Sequence, residues 1–285
     1  MYNFILENAK GDRLTFNQLG GAFTITDIDG LNPPNATINT SEMALIDGAK
    51  FNSAKAEMRV LRVAFAIECA AAENRLAVYK VLKPKEPVRA YYTSDTRDVY
   101  IDGYVQSVDV GHFDMKQIAT VSILCPAPYF RAAQEVVNEM SQTVSRFHFP
   151  FSSPVTPGIV FGYVDSTISV EVANGGDVAT GVIFELYAYA PITNPKIFDY
   201  VTKEYLGLNV EMQTGDLITI DTRQGRKTVT RLRDGTETNI FNSIMKNSSW
   251  LQLDYGSSIF TYEVATGSAA SLNIQIRHYD AFEGV

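Results

Sequence analysis

Apolar and polar residues alternate with a period of two along almost the whole chain, a pattern that predicts strands rather than helices. In the first half it predicts strands near Tyr2 to Glu7, Phe23 to Asp27, Met58 to Glu68, Val88 to Thr93, Val99 to Val110 and Lys116 to Cys125. The last of these sets Ala119, Val121, Ile123 and Cys125 on one face. One helix interrupts them, from Ala70 to Leu82, with Ala72, Leu76 and Tyr79 as its apolar stripe and Lys83-Pro84 as its stop. From Cys125 to Pro157 five prolines flank a stretch from Arg131 to Thr143 that reads as a brief helix, and this region is the expected domain junction. Beyond it the alternation sharpens: Ile168, Val170 and Val172; Leu206, Leu208, Val210 and Met212; Ile218 and Ile220; Leu272, Ile274 and Ile276. Turn signals such as Asn174-Gly175-Gly176-Asp177, Thr214-Gly215-Asp216 and Arg233-Asp234-Gly235-Thr236 separate these runs. Short half-apolar strands at such spacing describe an antiparallel sandwich.

Length and composition fit this picture. A chain of 285 residues, 46% apolar and 11% aromatic, has material for two folded units and is too rich in aromatics for disorder. No apolar run approaches the ~18 residues of a membrane span, and Met1 to Glu7 carries no secretory signature, so synthesis is expected to end in the cytoplasm without membrane insertion. A net charge of −8, of which −2 falls before residue 151 and −6 after it, argues against a protein that grips phosphate backbones. Cys69 and Cys125 lack any metal or redox spacing and read as two reduced, buried thiols.

Candidate chemistry is sparse. The three histidines, His112, His148 and His278, sit in no catalytic motif and read as surface or junction residues. Asp27-Ile28-Asp29-Gly30 suggests a calcium loop, but that register would put Ile25 first and Ala36 twelfth, where oxygen ligands are needed. A turn with Gly30 at positive φ accounts for the same letters. Asp95 with Asp98, or Asp199 with Glu204, could flank a glycosidic bond only if folding set them across a cleft; solvated carboxylates are the expectation. Neither a cofactor nor a metal site is expected. In Trp250-Leu251-Gln252-Leu253, alternation places the only tryptophan opposite the two leucines, on the outer face of the sandwich. An indole there could contact a sugar or a partner, or pack beneath a loop.

Taken in order, several segments resemble the distal tail protein family of long-tailed bacteriophages. In the first half these are Phe23 to Pro33, the apolar strand Met58 to Ile67, the helix, Val99 to Val105, and Cys125-Pro126-Ala127-Pro128-Tyr129-Phe130. In the second they are Gly215 to Thr222, Gly225-Arg226-Lys227-Thr228-Val229, Trp250 to Tyr262 and Arg277-His278-Tyr279. Asp254-Tyr255-Gly256-Ser257-Ser258 departs from the proline-glycine and asparagine usual in the family's turn.

The resemblance implies a mainly β, non-enzymatic virion protein at the phage tail tip. It implies a ring-forming domain over residues 1–130, a junction over 131–157 and a galectin-like sandwich over 158–285. Six copies would close into a ring joining the tail tube to a tail-associated hub protein and to receptor-binding or baseplate proteins, with DNA only as cargo through the lumen. A head-to-tail ring needs two complementary patches per subunit. The long hairpin from Val99 to Cys125, with its tip at Gly111, His112, Phe113 and Asp114, is the candidate for one of them, because a β ribbon has edges that must be covered. A carbohydrate-binding adhesion module using Trp250 is the competing expectation.

Overall fold

The computed structural model describes residues 2–17, 21–44, 47–112, 117–140, 142–145, 162–165 and 169–285. The chain divides into two compact units, Met1–Ala133 with Ala281–Val285, and Gln134–Asp280. Both are built from antiparallel strands, as the alternation predicts.

In the first unit the strands are β1 (Asn3–Asn8), β2 (Arg13–Phe16), β3 (Phe23–Asp29), β4 (Ala36–Glu42), β5 (Ala49–Ala56) and β6 (Arg59–Ile67). After helix α1 (Ala71–Val81) come β7 (Pro87–Thr93), β8 (Asp98–Val110), β9 (Gln117–Cys125) and β10 (Phe130–Ala132). Seven of them run side by side in the order β2-β1-β7-β8-β9-β6-β3, and β10 joins the same sheet by pairing with β8. The end strands meet: the Phe16 ring of β2 lies 5.9 Å from Phe23 of β3 and 4.9 Å from Phe65 of β6. Asn17 donates its N–H to the Phe23 carbonyl, and its side-chain oxygen accepts from Ile25 N–H at 2.8 Å. The sheet therefore curls until its edges are joined, which buries one face as a core of Phe4, Phe16, Leu61, Phe65, Val121 and Ile123. Gly103 fits this interior because a Cβ there would come within 2.6 Å of the Ile123 side chain.

Helix α1 covers part of this core with a face other than the expected one. Val78 and Val81 are buried, whereas Ala72 is exposed and Leu76 is 64% exposed. The spacings of four and three are genuine; the tertiary packing takes the neighbouring stripe. The turn after β3 is as expected, with Gly30 at φ +95° and no room for a Cβ beside the Val60 carbonyl. Of the two cysteines expected to be buried, Cys125 lies inside and burial pushes its thiol up to about 12, while Cys69 is exposed in the turn before α1.

The second unit is a sandwich. One sheet has six strands in the order Val136–Glu139, Leu272–His278, Ile183–Ala188, Leu217–Asp221, Thr228–Arg233, Thr236–Asn239. The other has four, Ser169–Asn174, Gly256–Glu263, Lys196–Asp199, Tyr205–Gly207. Alternate residues of both point into a shared core, where Phe184 of the first sheet meets Phe260 of the second edge to face at 5.5 Å. The brief helix expected between Arg131 and Thr143 is replaced by extended chain: Phe130–Ala132, Val136–Glu139 and Gln142–Ser145 are all strands. Backbone pairing decides this, since Val136–Glu139 finds a ready partner in Arg277, Ile276 and their neighbours. Residues 281–285 fall with the first unit because Ala281 and Phe282 pair with Arg131 and Phe130.

Candidate assembly surface

Strands β4 and β5 stand apart from the curled sheet as a two-stranded sheet of their own. Every residue in them is exposed except Thr37 and Ala56, which are half-buried. Pairing of Ala36 with Ala56, Ile38 with Ala54, Thr40 with Phe51 and Glu42 with Ala49 puts these side chains on one face. The opposite face carries Thr37 with Lys55, Asn39 with Ser53 and Ser41 with Lys50. A bulge between Asn39 and Thr40 brings Phe51 onto the first face and leaves Asn52 to donate to the Ser41 hydroxyl at 2.5 Å. On the polar side Thr37 donates to Glu57 at 2.5 Å and Asn39 to Ser53 at 3.0 Å.

The ribbon is therefore amphipathic. Ile38 is 62% and Phe51 61% exposed, and with the exposed Ala36, Ala49 and Ala54 they form an apolar patch, beside Thr40 and Glu42, that nothing among the described residues covers. A lone two-stranded ribbon is marginal in water, and an apolar face gains stability only against another surface.

One stripe of polar residues on the outer surface of the curled sheet is, by contrast, internally paired. Arg13, Glu7, Arg89 and Asp102 follow one another across β2, β1, β7 and β8 with alternating charge. Arg13 pairs with Glu7 at 2.7 Å and Arg89 with Asp102 at 2.6 Å. The hydrogen bond to Asp102 raises the Arg89 guanidinium further above its ordinary range, and Arg89 also lies 4.3 Å from the Tyr100 ring centre.

The predicted residues are placed as follows. The β8–β9 hairpin exists at the expected length, but it lies inside the sheet, with β7 along one edge and β6 along the other. Gly111 and His112 follow β8, His112 exposed; Phe113 and Asp114 fall outside the described residues. Only the end of β8 beyond Val105 lacks a strand on its β7 side among the described residues. Trp250 is half-buried, with the Phe241 ring 5.6 Å away and Lys227 Nζ 5.2 Å above the indole, while Leu251 and Leu253 are fully inside. His148 lies outside the described residues. His278, read from the sequence as a surface residue, is 1% exposed, since it alternates with Ile274 and Ile276 on the inward face of its strand. Its Nε2 is 3.4 Å from Asp280 Oδ1.

Asp199 is buried and its Oδ1 accepts the N–H of Val201 at 2.8 Å; Asp98 accepts from Thr93 at 2.8 Å. Both carboxylates thus hold local backbone or strand-end geometry. Among the described residues no group of three His, Cys, Asp or Glu could hold a metal, and no helix is long and apolar enough to cross a membrane. The hairpin β4–β5 is what sequence reasoning missed: alternation is present in Ala36-Thr37-Ile38-Asn39-Thr40 and Lys50-Phe51-Asn52-Ser53-Ala54, but alanine, threonine and serine give it little contrast. The turn signal Asp47-Gly48 was its clearest mark, with Gly48 at φ +94°.

Residues 175–278 match the family model described as siphovirus-type tail component, C-terminal domain. The whole chain is similar in fold to the crystal structure of the Dit (gp 19.1) protein of phage SPP1, described as a paradigm of the hub adsorption apparatus in phages infecting Gram-positive hosts. That match has a TM-score of 0.66 at 14% identity and covers 97% of this chain and 98% of the other. It is also similar to a chain in the phage P2 baseplate in its activated conformation with Ca, with a TM-score of 0.53, 11% identity and 98% of both chains covered. The same baseplate with Sr gives the same figures, 0.53, 11% and 98%. No curated protein matches the chain. The resemblance to phage distal tail proteins and the mainly β fold expected from it are both met.

Proposed function

We propose that this chain is a structural component of a phage tail tip, whose copies close into a ring that connects the tail tube to tail-tip or receptor-binding components around the DNA channel. The family match over the second unit and the likeness in fold along the whole chain to hub and baseplate proteins support the tail-tip role. Six copies, the number the family resemblance implies, would weigh about 190 kDa for a chain of 31.5 kDa.

The observation that carries the ring is the uncovered apolar face of β4–β5. With the curled sheet's own edges joined, this ribbon is the element with most to gain from the surface of another copy. It replaces the β8–β9 tip as the preferred contact, because the edges of that hairpin are largely paired within the chain. The adhesion reading has less support: Phe241 and Lys227 already lie against the Trp250 indole, so it is not a free platform for a sugar.

Light scattering or mass photometry of the purified full chain tests the proposal. The expected result is an assembly near six copies that Ile38→Asp with Phe51→Asp reduces to monomers while the circular dichroism spectrum is kept. A ring that survives the double substitution would reject the hairpin as the contact, and a chain that stays monomeric at high concentration would count against the ring.

A further inference from the structure

The hairpin's two roots are tied together by one buried cation. β3 ends at Asp29 and β4 starts at Ala36, whereas β5 ends at Ala56 and β6 starts at Arg59. The Arg59 side chain, in a residue only 3% exposed, donates to the carbonyls of Gly30 and Asn32 on the entering root, to Pro128 at 2.7 Å, and to Glu283. Its guanidinium also lies 4.6 Å from the Phe130 ring centre. All its hydrogen bonds go to backbone carbonyls, so the residue fixes chain paths rather than pairing a charge. Across the roots Glu57 N–H donates to the Asn35 carbonyl at 2.8 Å.

One of those four acceptors comes from far along the chain. Residues 281–285 lie along the entering root: Val285 N–H donates to the Leu31 carbonyl at 3.2 Å. A Cβ on Gly284 would sit 3.2 Å from the Leu31 oxygen and from the Pro33 ring. Phe282 packs 4.1 Å beneath the Arg97 guanidinium and pairs with Phe130. Immediately before this segment, Asp280 belongs to the second unit, where its carboxylate accepts the Gly175 N–H at 3.0 Å.

We propose that residues 281–285 are a strap that, through Arg59, fixes the root of the β4–β5 hairpin, so that the second unit, from which the strap issues, sets how firmly the hairpin is held for docking. The docking role rests on the ring reading above; the strap itself does not. Arg59 is a positioning residue in this scheme. Release of the strap removes one of its acceptors together with the Val285 bond, and the polypeptide between Asp29 and Ala36 is then held from one side only.

Hydrogen–deuterium exchange on the full chain tests this, comparing wild type with Gly284→Leu, which crowds the strap off the root, and Arg59→Lys, which keeps charge but cannot serve four carbonyls. Root peptides containing Glu57, whose N–H donates to the Asn35 carbonyl, are expected to exchange about tenfold faster at that amide in both variants, the effect of losing one hydrogen bond to a charged group. Peptides of β6 and β9 should keep their protection. Asp280→Ala, which frees the anchor in the second unit, should move the same root peptides in the same direction by less. Root peptides that stay protected while 281–285 exchanges freely would overturn the strap, and so would loosening that spreads through Leu61 to Phe65 and Ala119 to Ile123. Should Gly284→Leu fail to fold, Arg59→Lys decides alone. Because this readout needs no assembly, a monomeric wild type would sink the ring reading and leave the strap to stand or fall by exchange.

Discussion

His278 shows how one residue can be misread from its position in the chain and yet be decided by simple chemistry. Burial disfavours the imidazolium and holds the imidazole below its ordinary value, against the opposing pull of Asp280, the Ala173 backbone and Glu135. A histidine whose folded-state value is lowered adds stability above its unfolded value, near 6.5, and loses it as pH falls below that point. Thermal unfolding should therefore show a melting temperature that declines between pH 7 and pH 5. In His278→Gln that slope should be shallower, and an unchanged slope would exclude this residue as its source. The sequence showed the alternation that buries Ile274 and Ile276, and extending it by one more step to His278 is all that was needed; the polar side chain discouraged that step. Gly30 is the opposite case, since only a residue without a Cβ suits the turn after β3, and the letter alone announced it.

At the scale of elements, legibility followed contrast. β6, β8 and β9 alternate valine, leucine, isoleucine and phenylalanine with polar or small residues and were readable to within a residue or two. β2, at four residues, and the alanine-rich β4 and β5 were not, because their alternation has little apolar amplitude. Helix α1 was visible in outline but its inward face was not, since Ala72-Leu76-Tyr79 and Val78-Val81 both recur at helical spacing and only the sheet beneath selects between them. That choice has a measurable consequence. Val78→Ala should cost about 2 kcal/mol of stability in urea unfolding. Leu76→Ala should change it by less than about 0.5 kcal/mol, because most of its surface remains in water. Equal costs would mean that the helix presents both stripes to partners.

For the whole molecule, the first unit passes into the second between Ala133 and Gln134, shortly after the prolines that follow Cys125. The return of residues 281–285 to the first unit left no such trace. Ala281-Phe282-Glu283-Gly284-Val285 has no period of its own, and its place is set by carbonyl and strand partners more than a hundred residues away. The second unit is thus an insertion between two strands that face each other, Arg131 opposite Ala281. Replacing residues 134–280 with a short glycine-containing turn should yield a protein that melts cooperatively with the first unit's curled sheet intact. A non-cooperative product would show that the sheet depends on the insert for more than closure.

Insertion also orders events during synthesis. As the chain leaves the ribosome, β1 to β10 emerge well before residue 283, so the carbonyl that completes the shell around the Arg59 guanidinium arrives after the entire second unit. Until then the cation is short of one acceptor and the neighbouring turn is only partly restrained. The root of the β4–β5 hairpin is thus completed only after the whole second unit has been made.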